Sequence, residues 1–431
     1  MSADAAAVES QPVDSSKLAQ RYDRVRWTTE ALVEPLSPED CVVQSMPDAS
    51  PAKWHLAHTT WFFEAFLLTA KLPGYQPFHP QFSYLFNSYY NAIGERHPRA
   101  QRGLLTRPSL DEILDYRAHV DRHMNELLAP GVSAEMAALV EVGLHHEQQH
   151  QELLLTDIKH LLSCSPLRPA YREELTASTT TPAAMSFVAF DAGVRAFGHG
   201  GEGFCYDNEQ PRHRQYLHPF AVADRLVTNA EWQAFIDDGG YTRPEFWLSD
   251  GSHCITSNGW TAPMYWERID GAWHSFTLAG MREIDPVEPV SHVSFYEADA
   301  FARWSGKRLP TEFEWELASE NCLIEGNFLD DSRFHPIALD GGTESADSRP
   351  AIAELYGDVW EWTASPYVAY PGYKPPEGAL GEYNGKFMSN QMVLRGGSCA
   401  TPQNHIRPTY RNFFQPSARW QFMGVRLAEN A

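Results

Sequence analysis

The stretch GLHHEQQHQELL holds two histidines four residues apart, His146 and His150, with Glu147 directly after the first. On a helix, residues four apart share a face, so both imidazoles can reach one ion. H-E-x-x-H is also the signature of zinc peptidases, in which the glutamate acts as base and a third ligand follows downstream. The downstream residues here are LLLTDIKHLL and then a Pro/Ser/Thr-rich segment, where Glu152 is too close to serve and His160 is marginal. A different third ligand is on offer upstream, where WHLAH supplies His55 and His58. Three histidines on a metal leave positions open for water, substrate or dioxygen. Spacing by itself is a weak signal, because HVDRH gives His119 and His123 the same interval. The first pair stands out by its setting, the polar run HHEQQHQE inside an otherwise apolar helix. Burial of such a run requires a compensating polar site. His119 and His123 have charged neighbours and read as a solvated face.

Four helical segments must position these residues. The helical period dominates to about residue 165, in KLAQRYDRVRWTTEALVEPL, SPAKWHLAHTTWFFEAFLLTA, SLDEILDYRAHVDRHMNELLA and SAEMAALVEVGLHHEQQHQELLLTDIKHLL. An up-and-down bundle over residues 16–165 is expected, after a disordered lead-in at 1–15. In the second segment Ser50 is the expected N-cap and Pro51 the first helical residue. The long loop from Lys71 to Pro108 is expected to be functional, since compact domains rarely carry such loops otherwise. Residues 166–185 read as a linker. From 186 to 431, short aromatic runs alternate with Gly, Asn, Asp and Pro, which predicts a loop-rich α+β domain. Two short helices are expected inside it, in TNAEWQAFIDD and SFYEADAFARWSG.

Bulk composition narrows the function. The 431 residues carry 34 Lys+Arg against 56 Asp+Glu, a formal net charge of −22. So acidic a chain repels phosphate backbones, and no nucleic-acid partner is expected. No apolar run approaches the roughly 20 residues of a membrane helix, so no membrane association is expected either. The N-terminal MSADAAAVESQPVDSSK lacks the basic flank and apolar run of a signal peptide. Six cysteines without C-x-x-C spacing fit a reduced compartment. A cytoplasmic protein acting on small molecules is expected; the sequence carries no signal of oligomeric state. Aromatics make up 13% of the chain, which suits aromatic-lined pockets.

At the level of motifs, KWHLAHTTWFFEAF, FNSYYNAIGERHPRAQRGLLTRPS and HHEQQHQELLLTDIKH together resemble the DinB-like domain of ergothioneine-biosynthesis sulfoxide synthases. YDNEQPRH, VTNAEWQAFIDDGGY, EPVSHVSFYEADAFARWSGKRLPTEFEWE, YGDVWEWTASPY and LRGGS resemble the formylglycine-generating-enzyme (sulfatase-modifying-factor) fold, related to C-type lectins. The resemblance implies a DinB-like four-helix bundle followed by a loop-rich, C-type-lectin-like domain. It further implies a mononuclear non-heme iron(II) enzyme. Such an enzyme uses dioxygen to join a cysteine-type thiol to C2 of the hercynine imidazole, giving hercynylcysteine sulfoxide. By motif the implied iron ligands are His58, His146 and His150, with His55 and His145 as neighbours without that role. A formylglycine-generating enzyme needs a cysteine pair just after its GGS element. GGSCATPQNHIRP has Cys399 alone there, so this fold is expected to serve as a substrate platform.

The same resemblance assigns the remaining roles. Asn412 and Phe413 lie nearest hercynine, whose trimethylammonium binds over aromatic faces at about 0.5–2 kcal/mol per contact. YRNFFQPSARWQF offers Tyr410, Phe413, Phe414, Trp420 and Phe422 for this. Gln149 is within helical reach of the substrate imidazole. In ERHPRAQR, Arg99 and Arg102, with Arg96 beside them, suit the carboxylate of the thiol substrate. Relatives that take γ-glutamylcysteine carry an acidic residue near the position of Phe414, so free cysteine is the expected sulfur donor. Tyr89 and Tyr90 are the implied proton donors, since a phenol of pKa about 10 can donate without standing ionised. The alternatives are an ovothiol-type histidine/cysteine sulfoxide synthase, whose members usually carry an additional methyltransferase domain, and a zinc-dependent DinB-like thiol transferase that needs no dioxygen. A binding module of lectin-like ancestry is a third.

Overall fold

The computed structural model describes residues 15–172, 184–339 and 352–431. It divides into two compact units, Met1–Ile158 and Lys159–Ala431. Residues 1–14 of the expected lead-in at 1–15 and most of the expected linker at 166–185 lie outside the described residues, and Ser15 already opens the first helix.

The first unit is helical, as expected: α1 (Ser15–Ala31), α2 (Ala52–Phe63), α3 (Thr69–Lys71), α4 (Phe82–Phe86), α5 (Leu110–Leu128) and α6 (Ala134–Ser163), whose last five residues, from Lys159, count with the second unit. One π turn, Glu64–Leu68, joins α2 to α3. Every residue of α2 is buried, so its polar side chains must find partners, at a cost of about 1–3 kcal/mol for each that does not. Lys53 Nζ donates to the Leu105 and Pro108 carbonyls at 2.8 and 2.7 Å, and Thr60 Oγ1 to Leu56 O at 2.7 Å. Gly143 lets α6 approach closely: a Cβ there would sit 2.6 Å from the Phe63 ring. α5 opens on a reciprocal Ser109–Glu112 capping box.

Two expectations need correction. Pro51, not Ser50, is the N-cap of α2. Ser50 is engaged elsewhere: its N–H donates to Asp157 and its hydroxyl accepts from Arg102. Hydrogen bonds to charged groups are stronger than a neutral cap. The long loop is also partly ordered into helix, through α4 and a 3-10 segment, Arg99–Leu104.

The second unit is α+β. Its described strands are β1 (Phe187–Phe190), β2 (Gly193–Phe197), β3 (His213–Leu217), β4 (Phe220–Ala223), β5 (Trp266–Ile269), β6 (Ala272–Thr277), β7 (Gly280–Glu283), β8 (Trp360–Pro366), β9 (Met392–Arg395), β10 (Asn412–Phe414), β11 (Met423–Gly424) and β12 (Ala428–Asn430). They form small sheets ordered β1-β4-β12, β10-β9-β8-β11, β2-β3 and β5-β6-β7. The two expected helices are α7 (Asn229–Asp237) and α9 (Phe295–Trp304), each with a capping box, at Thr228–Glu231 and Ser294–Glu297. The sequence reading missed α8 (Ser249–Asn258), whose SDGSHCITSN buries only Gly251 and Ile255 and so shows no apolar stripe, and α10 (Glu312–Ser319), which spans little more than two turns. Glu312 of α10 binds Arg395 on β9 at 3.0 Å and Arg411 at 2.8 Å. Burial alone would raise its pKa, but the two guanidiniums hold it low. This clamp fixes the backbone that leads into β10, the strand of Asn412, Phe413 and Phe414.

Candidate metal centre

His58 projects from α2, and His146 and His150 from successive turns of α6. The candidate ligand atoms of all three lie within 4.8 Å of one another, and all three rings are buried. Among the described residues no other group of three His, Cys, Asp or Glu converges in this way. His58 Nε2 and His146 Nε2 are 3.1 Å apart. Two nitrogens, each about 2.0–2.1 Å from one ion and roughly 95° apart, span about that distance. Burial pushes His146 down to about 3. Burial first, then the neighbouring imidazoles, holds His58 and His150 well below the usual histidine range. Three neutral imidazoles therefore present lone pairs, as metal ligands must. An all-imidazole set suits iron and also zinc.

The surroundings orient the rings. His58 Nδ1 donates to Phe86 O at the end of α4, which leaves Nε2 with its lone pair. Trp54 stacks on His58 at 4.5 Å and 13°, and Trp61 at 5.6 Å and 17°. These tryptophans stand four residues before and three after His58, the helical-neighbour intervals. KWHLAHTTWFF thus carried a signal for them that the sequence reading did not use. His55 lies outside the group of three: its Nδ1 meets His150 Nδ1 at 2.8 Å and its Nε2 meets Asp157 Oδ2 at 3.0 Å. His145 Nε2 instead lies 2.9 Å from the guanidinium of Arg21 on α1.

Glu147 decides how the H-E-x-x-H pattern is to be read. It is fully buried, with Arg26 at 2.8 Å on one oxygen and Arg117 at 3.0 Å on the other. Burial alone would raise its pKa, but the two arginines hold it below the usual carboxylate range. A carboxylate locked in this way is a poor general base, which argues against the peptidase. No feature of the sequence linked Arg26 and Arg117, on α1 and α5, to this glutamate. His119 and His123, read as a solvated face, are half-buried, with His123 edge-on to Tyr75 at 5.1 Å.

The long loop brings further assigned residues beside the centre. Asn87 accepts from Tyr90 N at 3.1 Å and donates to Tyr90 O at 3.0 Å, a turn that presents Tyr89 and Tyr90. The two phenol rings lie 4.7 Å apart. Tyr90 is buried and packs on Trp61 at 5.8 Å and on Phe66 at 5.2 Å. Arg102 is buried, 3.4 Å over the face of Trp54. It donates to Ser50 Oγ at 2.9 Å and Ser88 Oγ at 3.1 Å. Burial first, and then Arg99, disfavour its cation. A buried guanidinium held by neutral hydroxyls calls for an anion. Arg99 is exposed and donates to Asp48 O, and Arg96 is exposed and donates to Ser88 O at 2.9 Å. Gln149 is half-buried on α6, between His146 and His150 in sequence.

Asn412, Phe413 and Phe414 belong to the second unit, half-buried on β10, at the edge of the four-stranded sheet. Phe413 stacks on Tyr367 at 4.0 Å and 11°, and Phe414 meets Trp420 edge-on at 5.9 Å. Tyr410 and Phe422, the other aromatics of that segment, are buried in the core. Cys399 is buried, and all six cysteines are unbridged.

Residues 21–154 match the model of the DinB superfamily, and residues 172–431 match that of the sulfatase-modifying factor enzyme 1-like domain. The hercynine oxygenase of Mycobacterium tuberculosis is 33% identical over 96% of this chain and 98% of its own. That of Mycolicibacterium smegmatis is 32% identical over 89% of this chain and 92% of its own. The formylglycine-generating enzyme of Streptomyces coelicolor is 30% identical over 57% of this chain and 89% of its own. With both domain models matched in order and a hercynine oxygenase aligned along nearly all of its length, this chain belongs to the hercynine oxygenase family.

Proposed function

We propose that the chain is an iron(II)- and dioxygen-dependent sulfoxide synthase of ergothioneine biosynthesis, joining cysteine to C2 of the hercynine imidazole. The convergence of three buried, neutral imidazoles carries this reading, together with family membership. His58, His146 and His150 would hold the ion, which when bound supplies coordination sites and redox equivalents for dioxygen chemistry. In the overall reaction the thiol S–H and the imidazole C–H are lost, a C–S bond forms, one oxygen atom of dioxygen becomes the sulfoxide and the other leaves as water.

The chain's own residues bind, orient and supply protons. Arg102 offers a buried fork to the cysteine carboxylate, with Arg99 as a second cation at the surface. Tyr89 or Tyr90 donates a proton from the turn set by Asn87. Asn412, Phe413 and Phe414 would hold hercynine, and Gln149 would reach its imidazole through water. The absence of a carboxylate at Phe414 favours cysteine over γ-glutamylcysteine. The ovothiol-type synthase and the zinc-dependent thiol transferase are distinguished by the products.

The test is anaerobic purification with iron(II), then mass spectrometry of the products from hercynine with cysteine or γ-glutamylcysteine under air. Hercynylcysteine sulfoxide from cysteine is expected. Product formation with zinc alone, or with histidine in place of hercynine, would overturn the reading.

A further inference from the structure

We infer that His55 and Asp157 are positioning residues that set the tautomer of His150 and aim its Nε2 at the metal. Asp157 Oδ2 accepts the Ser50 N–H at 2.8 Å and faces His55 Nε2 at 3.0 Å. A carboxylate oxygen accepting there requires the His55 proton to reside on Nε2. His55 Nδ1 then bears a lone pair, and the group it faces, His150 Nδ1 at 2.8 Å, must donate. With its proton on Nδ1, His150 has Nε2 bare. Each step follows from the preceding one because an imidazole hydrogen-bonded at both nitrogens has one donor and one acceptor when neutral.

The arrangement differs from that of His58, whose Nδ1 donates directly to a backbone carbonyl, an acceptor in every state. An imidazole partner could play either role, and Asp157 removes the choice. All four participants, Ser50, His55, His150 and Asp157, are buried, so water cannot substitute for a lost partner. Arg102 shares Ser50 with this network through Ser50 Oγ, at 2.9 Å. Carboxylate–histidine partners of this kind orient metal ligands, and their loss costs about 10–100-fold in metal affinity. The inference rests on the metal reading above, but it concerns residues to which that reading gives no role.

The test measures cobalt(II) and anaerobic iron(II) affinity by chelator competition in wild type, His55→Gln, His55→Leu and Asp157→Ala. A glutamine amide can accept from His150 and donate to Asp157 as His55 does, whereas leucine can do neither. The expected result is a loss of about 10–100-fold in His55→Leu and Asp157→Ala, with His55→Gln close to wild type. Equal affinity in His55→Leu and wild type, both folded, overturns the relay and leaves the metal site standing. A wild type that binds neither ion overturns the metal reading itself. If the leucine and alanine variants fail to fold, nitrogen NMR of the metal-free wild type decides: protonated Nδ1 and bare Nε2 on His150 are expected, and the opposite tautomer overturns the inference.

Discussion

His58 and His150 each have Nδ1 engaged by a defined partner, and both rings are buried, so their remaining nitrogens converge without competition from water. Around them the residues proposed to bind and protonate substrate are held by neutral groups. Tyr90 is turned inward by Asn87, and Arg102 lies on Trp54 without a carboxylate among its hydrogen-bond partners. Substitution of the tyrosine that donates the proton, tested as Tyr89→Phe and Tyr90→Phe, is expected to leave metal content unchanged. Sulfoxide formation should slow by about 10²–10⁴-fold, the scale of a lost general acid, with thiol diverted to sulfinic acid in the product spectrum. Wild-type behaviour of both single variants and the double contradicts this role. Arg102→Gln should raise KM for cysteine by roughly 10-fold or more, as expected for loss of a charge-assisted hydrogen bond of about 1.5–3 kcal/mol, and leave KM for hercynine unchanged. Equal shifts for both substrates would show a general disruption instead.

At the level of elements, α6 presents candidate ligands on one face and on another a carboxylate that ties α1 and α5 together. Glu147→Gln removes the one fully buried carboxylate that Arg26 and Arg117 share and leaves them only the more exposed Asp121 and Glu30. Breaking such a pair costs about 3–5 kcal/mol, so a large drop in the urea midpoint is expected. An unchanged midpoint would mean that the glutamate is free for chemistry. The pair at His146 and His150 was legible because a helix turns interval into proximity, and the bundle followed from apolar periodicity. The partners of Glu147 and the Asp157–His55 contact were not legible, because they join residues about 30 to 120 positions apart with no local pattern. Trp54 and Trp61 were legible in principle, at helical intervals from His58. The short strands of the second unit gave a fold class but no pairing, since most of them have four residues or fewer, too little period to set a register.

Across the whole molecule, family membership ties two folds of different texture to one chain, and buried charges make its stability depend on pH. In the second unit Lys159 Nζ lies 2.7 Å from His292 Nε2, with the Tyr265 and Phe422 rings at 5.0 and 4.8 Å. Burial pushes this lysine down to about 7, against about 10.4 in an unfolded chain. Between those values the unfolded state binds the extra proton, so stability rises with pH across this window and the penalty is constant below it. Relative to Lys159→Met, wild type should gain stability from pH 7 to pH 9 in urea titrations; a difference that does not change with pH contradicts the assignment. The central claim is that three imidazoles and an iron(II) ion spend dioxygen on a new C–S bond. Isotopic labelling addresses it directly: turnover of hercynine and cysteine under ¹⁸O₂ by the iron-loaded chain. The account predicts a sulfoxide carrying one ¹⁸O, and none of it from His58→Ala, His146→Ala or His150→Ala. Product formed without dioxygen, unlabelled sulfoxide, or full activity in any of those three variants would contradict it.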